Sequence, residues 1–406
     1  MVSPVPPGAS LNRSVTLLQL TLFGSGTILG AGIYVLIGKV AGEAGLYTPL
    51  AFLCAAAIAA VTAFSYAEIS SRYPRSAGEA TYVLAAFNSR LLSMLVGYAL
   101  VLTGIVSSAT LANGFVGYFQ VLLPLPATLL VVLSVTAVGA IAVWGIQQSM
   151  IAAACVTLIE IAGLLLVIVV AGDSLATLPA VWPDLLPGFE ALPWLGIMSG
   201  CVLAFYAFMG FEDMVNVAEE VIRPEITMPR AILLAFALAT SLYVLIALLA
   251  VLALPLGLLA DSEAPFALLM QQRGHSPTLI SLISLVAIIN GALVQMIMAS
   301  RVLYGLACQG SAPLFLGRIN RVTKTPVIAT VLVIGCVIGM ALIFRLESLA
   351  RITSFIVLLV FTLVNLSLVK IKGRPGSASP GFSVPVAVPW LGAALSLMLL
   401  LFAAFV

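Results

Sequence analysis

Charge is what this chain has least of: of its 406 residues only 8% are Asp, Glu, Lys or Arg. A soluble domain carries about 25%, so a globule facing water on all sides is excluded. The 17 basic and 15 acidic side chains nearly cancel. The basic ones are scattered through loops and form no patch, so nucleic acid is not expected as a partner. Histidine occurs once, as His275, which argues against a histidine-built metal centre. The five cysteines, Cys54, Cys155, Cys201, Cys308 and Cys336, show no paired ligand spacing, which argues against both a zinc site and a disulfide framework. No metal or cofactor is expected. No nucleophile, base and orienting group stand at a recognisable spacing, which disfavours an enzyme.

What is present is apolar surface. Hydrophobic residues make up 62% of the chain and the mean hydropathy is +1.22, the composition of an all-α polytopic membrane protein. Apolar runs of about 20 residues between polar breaks give eleven spans: 14–39, 46–70, 81–117, 126–143, 149–171, 194–218, 229–255, 277–307, 326–344, 348–370 and 385–406. The run 81–117 is longer than a bilayer needs, so it should tilt strongly or project. The leader Met1–Asn12 is polar and Pro-rich, and no cleavable signal is evident in it. With the N-terminus inside, thirteen Lys and Arg residues fall on the cytoplasmic side and four, Lys39, Arg273, Arg345 and Arg351, on the other. That bias places the N-terminus in the cytoplasm, in a multi-pass protein of the cytoplasmic (plasma or inner) membrane.

Two spans are built to come apart. The run from Gly24 to Tyr34 (GSGTILGAGIY) places four glycines in the first span, each costing a helix roughly 1 kcal/mol against alanine. Broken backbone at membrane depth is tolerated only where it is buried in protein or lines a cavity, so a binding site is expected at Gly24–Gly32. The competing reading is small-residue packing against a neighbouring helix. The sixth span repeats the peculiarity: from Phe205 to Glu220 it holds Gly210 and the adjacent acids Glu212 and Asp213. Charges at that depth are costly and default to a functional role. Interrupted helices at positions one and six fit two five-helix halves in inverted orientation around a midplane site. The halves are 14–171 and 194–370, with 385–406 as an additional helix of a single transporter domain, 1–406.

An ordered set of motifs resembles the amino acid–polyamine–organocation family of secondary transporters. Gly30–Tyr34 (GAGIY) matches the family's break in the first helix. Tyr73–Tyr82 (YPRSAGEATY) resembles the loop after helix two, and Phe208–Glu212 (FMGFE) continues through Ala218–Ile232 (AEEVIRPEITMPRAI) as the most specific stretch. Ala299–Gly305 (ASRVLYG) resembles the end of helix eight. The resemblance, running from about Thr16 to Lys370, implies a leucine-transporter-type fold with helices one and six unwound around a small amino-containing substrate. Freed N–H groups near Ala31 and Gly32, next to Gly30, suit a carboxylate at a helix start. Freed carbonyls near Thr27, Ile28, Tyr206 and Met209 suit an ammonium. Many family members have serine where Ala31 stands, which removes one hydrogen bond to the carboxylate.

Alignment on Gly117 and Tyr118 brings Thr103, Gly104 and Ser108 of helix three to the family's substrate-facing positions, with tight helix packing as the alternative. Tyr206 is placed as an aromatic lid, with simple packing within the span as the alternative. Gln295 on helix eight reaches the side-chain end of the pocket or makes an interhelical hydrogen bond. The resemblance favours Glu212 over Asp213 as the mechanistic acid. Glu160 takes the place where sodium-independent relatives often carry a lysine, near a cation site between helices one, five and eight. A carboxylate there couples to an ion, either a proton it carries or a sodium ion it helps to bind, with the proton favoured and a purely structural acid as the competing reading. The function implied is secondary active transport of an amino acid by alternating access. A neutral substrate is favoured because no acid or base beyond Glu212 and Glu160 is placed in the pocket. A polyamine or basic amino acid transporter or exchanger, and a membrane sensor that binds without transporting, are the alternatives.

Overall fold

Thr16 opens the first helix with a capping box: its hydroxyl accepts the Gln19 N–H at 3.4 Å, and Gln19 Oε1 accepts the Thr16 N–H at 3.0 Å. The pair satisfies two backbone groups that the start of a helix leaves without partners. The computed structural model describes residues 13–30, 32–74, 78–144, 150–320, 322–374 and 381–405. Its helices are α1 (Leu17–Leu29), α2 (Gly32–Ala44), α3 (Thr48–Arg72), α4 (Gly78–Phe87), α5 (Arg90–Leu122), α6 (Ala127–Trp144), α7 (Met150–Ala171) and the short α8 (Leu178–Val181). They continue with α9 (Ala191–Ala207), α10 (Pro224–Ala253), the short α11 (Leu256–Asp261) and α12 (Pro265–Gln272), α13 (Thr278–Cys308), α14 (Val327–Ile343), α15 (Leu346–Lys372) and α16 (Ala387–Phe405).

Among the described residues, nine stretches are long and apolar enough to cross a membrane. One of them, Leu17–Arg72, holds α1, α2 and α3, enough for two passes, and the 17-residue α14 is a shorter apolar helix beside the nine. Each of the eleven expected spans therefore has a helical counterpart. The expected run 81–117 is instead divided: Asn88 takes φ 51° and Ser89 caps a new helix by accepting the Leu92 N–H. Even so, α5 keeps 33 residues, about 50 Å at ~1.5 Å per residue, more than the ~30 Å hydrocarbon core.

The bundle turns apolar side chains outward and polar ones inward. Leu102, Leu133, Leu158, Val169 and Leu234 are exposed on helix faces, whereas Glu160, Glu212, Asp213, Ser107 and Asn365 are buried. Where the surroundings are lipid, burial of apolar groups does not drive helices together; close packing and polar contacts do. The closest pairings are α13 on α5, α10 on α3, α15 on α16 and α2 on α9, and α1 lies between α7 and α10. Ion pairs pin both ends of the bundle. At one end Lys39 reaches Glu263 (2.9 Å) and Glu347 (3.1 Å), and Arg351 reaches Glu43 (2.6 Å). At the other, the fully buried Glu68 receives Arg72, Lys372 (2.7 Å) and the Val384 N–H (2.7 Å).

Candidate functional site

The first break begins where α1 stops at Leu29. Gly30 donates its N–H to the Gly26 carbonyl (3.0 Å), and its φ of −34° and ψ of −109° leave the helical region before α2 resumes at Gly32. The second begins where α9 stops at Ala207. The Phe208 and Met209 N–H groups turn back to the Phe205 and Tyr206 carbonyls (3.1 and 3.2 Å), Gly210 takes φ +123°, and a 3-10 helix runs from Glu212 to Glu220. The two breaks are bound to each other. Thr27 Oγ1 lies 2.9 Å from both the Gly24 and the Gly210 carbonyl oxygens, so its one proton serves either its own turn or the opposite break. A Cβ on Gly210 would stand 2.8 Å from Ile28 N, and one on Gly32 would stand 2.6 Å from Ala207 Cα. Small-residue packing and unwinding are thus one arrangement: the glycines let the half-helices touch, and the contact turns loosened backbone toward a shared space.

That space is a cavity of about 40 Å³. It is lined by Gly26, Thr27, Ile28 and Gly32 from the first break, Tyr206, Ala207, Met209 and Asp213 from the second, Ser107 and Leu111 from α5, and Asn290, Gly291, Val294 and Gln295 from α13. A cavity that holds benzene measures about 150 Å³, so a molecule of amino acid size enters this one only when its walls move. Tyr206 is one such wall. Its hydroxyl sits 2.9 Å from Ser107 Oγ, joining the second break to α5.

Of the residues singled out from the sequence, Thr27, Ile28, Gly32, Tyr206, Met209 and Gln295 line the cavity. Gly30 lies in the turn behind it, and Ala31 falls outside the described residues. The Ile28 carbonyl already accepts the Tyr243 hydroxyl (2.5 Å) and the Tyr206 carbonyl the Met209 N–H, which leaves each one further lone pair. On α5 the structure corrects the expected face. A Cβ on Gly104 would stand 2.8 Å from both the Gln295 carbonyl oxygen and Ala299 Cβ, so this face of α5 is packed tightly against α13. Ser108 donates to the Gly104 carbonyl (2.7 Å) and lines a separate, mostly apolar crevice between α5, α6 and α13. Thr103 is buried away from the cavity, its hydroxyl without a partner among the described residues.

The acids are also redistributed. Glu212 turns back to accept the Gly210 N–H (2.8 Å) and does not line the cavity. Its neighbour Asp213 does, with Oδ2 accepting from Gln295 Nε2 at 3.2 Å. The expectation that no acid beyond Glu212 and Glu160 stands in the pocket is corrected accordingly. Glu160, fully buried on α7, stands beside the cavity between α1, α2 and α13. Its Oε1 accepts from Asn290 Nδ2 (3.3 Å), its backbone carbonyl accepts the Tyr34 hydroxyl (2.7 Å), and its Oε2 faces Gly26 with no hydrogen-bond partner among the described residues. Among the described residues no three His, Cys, Asp or Glu side chains are grouped to hold a metal ion.

Comparison with known proteins decides the family, because residues 15–406 match the amino acid permease family model. The chain belongs to the amino acid permease family. It is 32% identical over 92% of its length to the vacuolar cationic amino acid transporter 2 of Arabidopsis thaliana, of which it spans 62%. It is also 27% identical over 93% of its length to the methylthioribose transporter of Bacillus subtilis strain 168, spanning 85% of it. A branched-chain amino acid permease of the same bacterium is 26% identical over 93% of the chain, which spans 84% of it. The chain thus spans less than two thirds of the plant relative's length, and the three names differ in substrate.

Within this permease fold, Ser107, Asp213 and Asn290 are the polar wall residues that sequence reasoning left out. Ser107 and Asn290 carry the same signal that marked Gln295, a polar side chain inside an apolar run, which a plain interhelical hydrogen bond produces equally well. Asp213 was visible as an intramembrane acid; its direction was not.

Proposed function

We propose that this protein is a secondary active transporter that carries an α-amino acid across the cytoplasmic membrane by alternating access. The observation that carries the reading is the meeting of two unwound half-helices on a single cavity. Loosened N–H groups at the start of α2 suit the carboxylate, and the remaining carbonyl lone pairs of Thr27, Ile28, Tyr206 and Met209 suit the α-ammonium. Residues 14–171 and 194–370 act as the two inverted halves, with 385–406 added outside them and the N-terminus in the cytoplasm. The ion pairs at the two ends of the bundle are the contacts that opening on either side has to break.

Glu160 is the coupling group in this reading, and the ion is a proton. Its carboxyl stands between the first break and α13 beside the cavity, with one oxygen held by Asn290 and the other aimed at α1. Gain or loss of a proton there changes what α1 packs against, which links the proton to the break. Uptake of radiolabelled amino acids into proteoliposomes under an imposed pH or sodium gradient tests both statements. Accumulation driven by an inward proton gradient is expected, and binding without accumulation would make the protein a sensor. Glu160→Gln should keep substrate exchange and lose acceleration by the proton gradient; uptake with unchanged pH dependence in this variant would rule the coupling out.

A further inference from the structure

The cavity holds two acceptors that nothing among the described residues satisfies. Asp213 is 3% exposed, and its Oδ1 has no hydrogen-bond partner among the described residues. Gln295 Oε1 is in the same condition, although the Gln295 amide nitrogen reaches the other Asp213 oxygen at 3.2 Å. The two groups therefore form one corner of the wall that offers oxygen lone pairs to the cavity. Buried acceptors without donors are rare and costly. A buried carboxylate without a cation is more costly still.

Among the described residues no cation fills the corner. Of the cavity's wall residues none is Lys, Arg or His. Lys39 is held by Glu263 and Glu347, Arg351 by Glu43, Arg273 by Asp173, and Arg72 and Lys372 by Glu68. Glu212 differs from its neighbour in this respect, since the Gly210 N–H already satisfies it. We infer that Asp213 and Gln295 are the specificity corner of the site and select a substrate that carries a second cationic nitrogen, as the side chain of a basic amino acid does. The inference rests on the amino acid reading of the same cavity: the breaks take the α-amino and carboxylate groups, and the corner takes the far ammonium or guanidinium. Charge on the substrate thus supplies the counter-ion that the described residues do not provide.

The test is competition for uptake of radiolabelled L-lysine and L-leucine into proteoliposomes containing the full chain, with arginine, alanine and putrescine as competitors. Lysine and arginine should compete at least tenfold better than leucine and alanine. Asp213→Asn should lower lysine affinity at least tenfold while sparing leucine, and Asp213→Glu should keep the cationic preference. Should the Asp213 variants fail to fold, the wild-type panel together with Gln295→Ala, expected to weaken lysine severalfold more than leucine, decides alone. Leucine uptake without preference for lysine, or unchanged selectivity in Asp213→Asn, overturns the assignment and leaves the amino acid reading standing. Putrescine competing as well as lysine supports the corner and overturns the role given to the α-carboxylate. Binding of none of these compounds overturns both readings.

Discussion

The two breaks solve one problem with different materials. The first is almost wholly backbone: Gly30 leaves the helix with a negative φ, and Thr27 is its one polar side chain on the cavity. The second carries the acids, with Glu212 folded back on Gly210 and Asp213 turned toward Gln295. On the proposed reading, the contrast assigns to the first break the groups every amino acid has, and to the second the side chains that would tell one substrate from another.

The largest effect that would expose this difference is expected at Gly210. Its φ of +123° belongs to a region in which other residues cost about 1–3 kcal/mol, and a Cβ there would meet the Thr27 carbonyl group and Ile28 N. Gly30 has a negative φ, and a Cβ on it would crowd one backbone atom, Gly26 O of its own turn at 2.9 Å, where one on Gly210 would meet three of the opposite break. Gly210→Ala should therefore abolish substrate binding and lower the melting temperature of the detergent-purified protein, whereas Gly30→Ala should weaken binding by less than about tenfold, or ~1.4 kcal/mol. Equal losses in the two variants would erase the distinction between the breaks.

Glu212→Gln should have a smaller effect of a different kind. The amide keeps an acceptor for the Gly210 N–H but can no longer gain or lose a proton. Transport turnover should fall by more than binding affinity, because the group is bonded to the second break at Gly210 and does not line the cavity. Uptake rate and equilibrium binding measured on the same preparation check this. Matching losses would make Glu212 a plain ligand.

How much of this was legible in the sequence follows from the same contrast. The breaks were legible because glycine is visible as a letter, and their meeting on one cavity followed from topology. The acids were visible but their directions were not. Beyond Gly210 the chain runs as a 3-10 helix, turning about 120° per residue where an α-helix turns about 100°, so the face that each of Glu212 and Asp213 takes could not be counted from the start of the span. The wall from α5 was missed for a related reason. Alignment on Gly117 and Tyr118 fixes position along the helix but not its rotation, and the cavity meets Ser107 and Leu111 while Gly104 and Ser108 serve packing against α13 and the separate crevice. Glu160 lies near Gly26 of α1 and Asn290 of α13, and a lone acid in an apolar span has few partners to choose from. Whether it carries a proton is a matter of energy, which position does not encode.

Thr27→Val should give the smallest effect and the finest test of how the breaks are joined. Valine matches threonine in shape, so the substitution removes the hydroxyl that lies 2.9 Å from both the Gly24 and the Gly210 carbonyls with little change in packing. A net hydrogen bond is worth about 0.5–1.5 kcal/mol, and Gly210 O keeps the Asp213 N–H as a partner at 3.1 Å. Substrate affinity should fall only about 2- to 10-fold on that scale, and equally for lysine and leucine, since the hydroxyl couples the breaks and does not read the side chain. A loss confined to lysine would instead place Thr27 in the specificity corner with Asp213. That would move discrimination into the first break and undo the division of labour between the two.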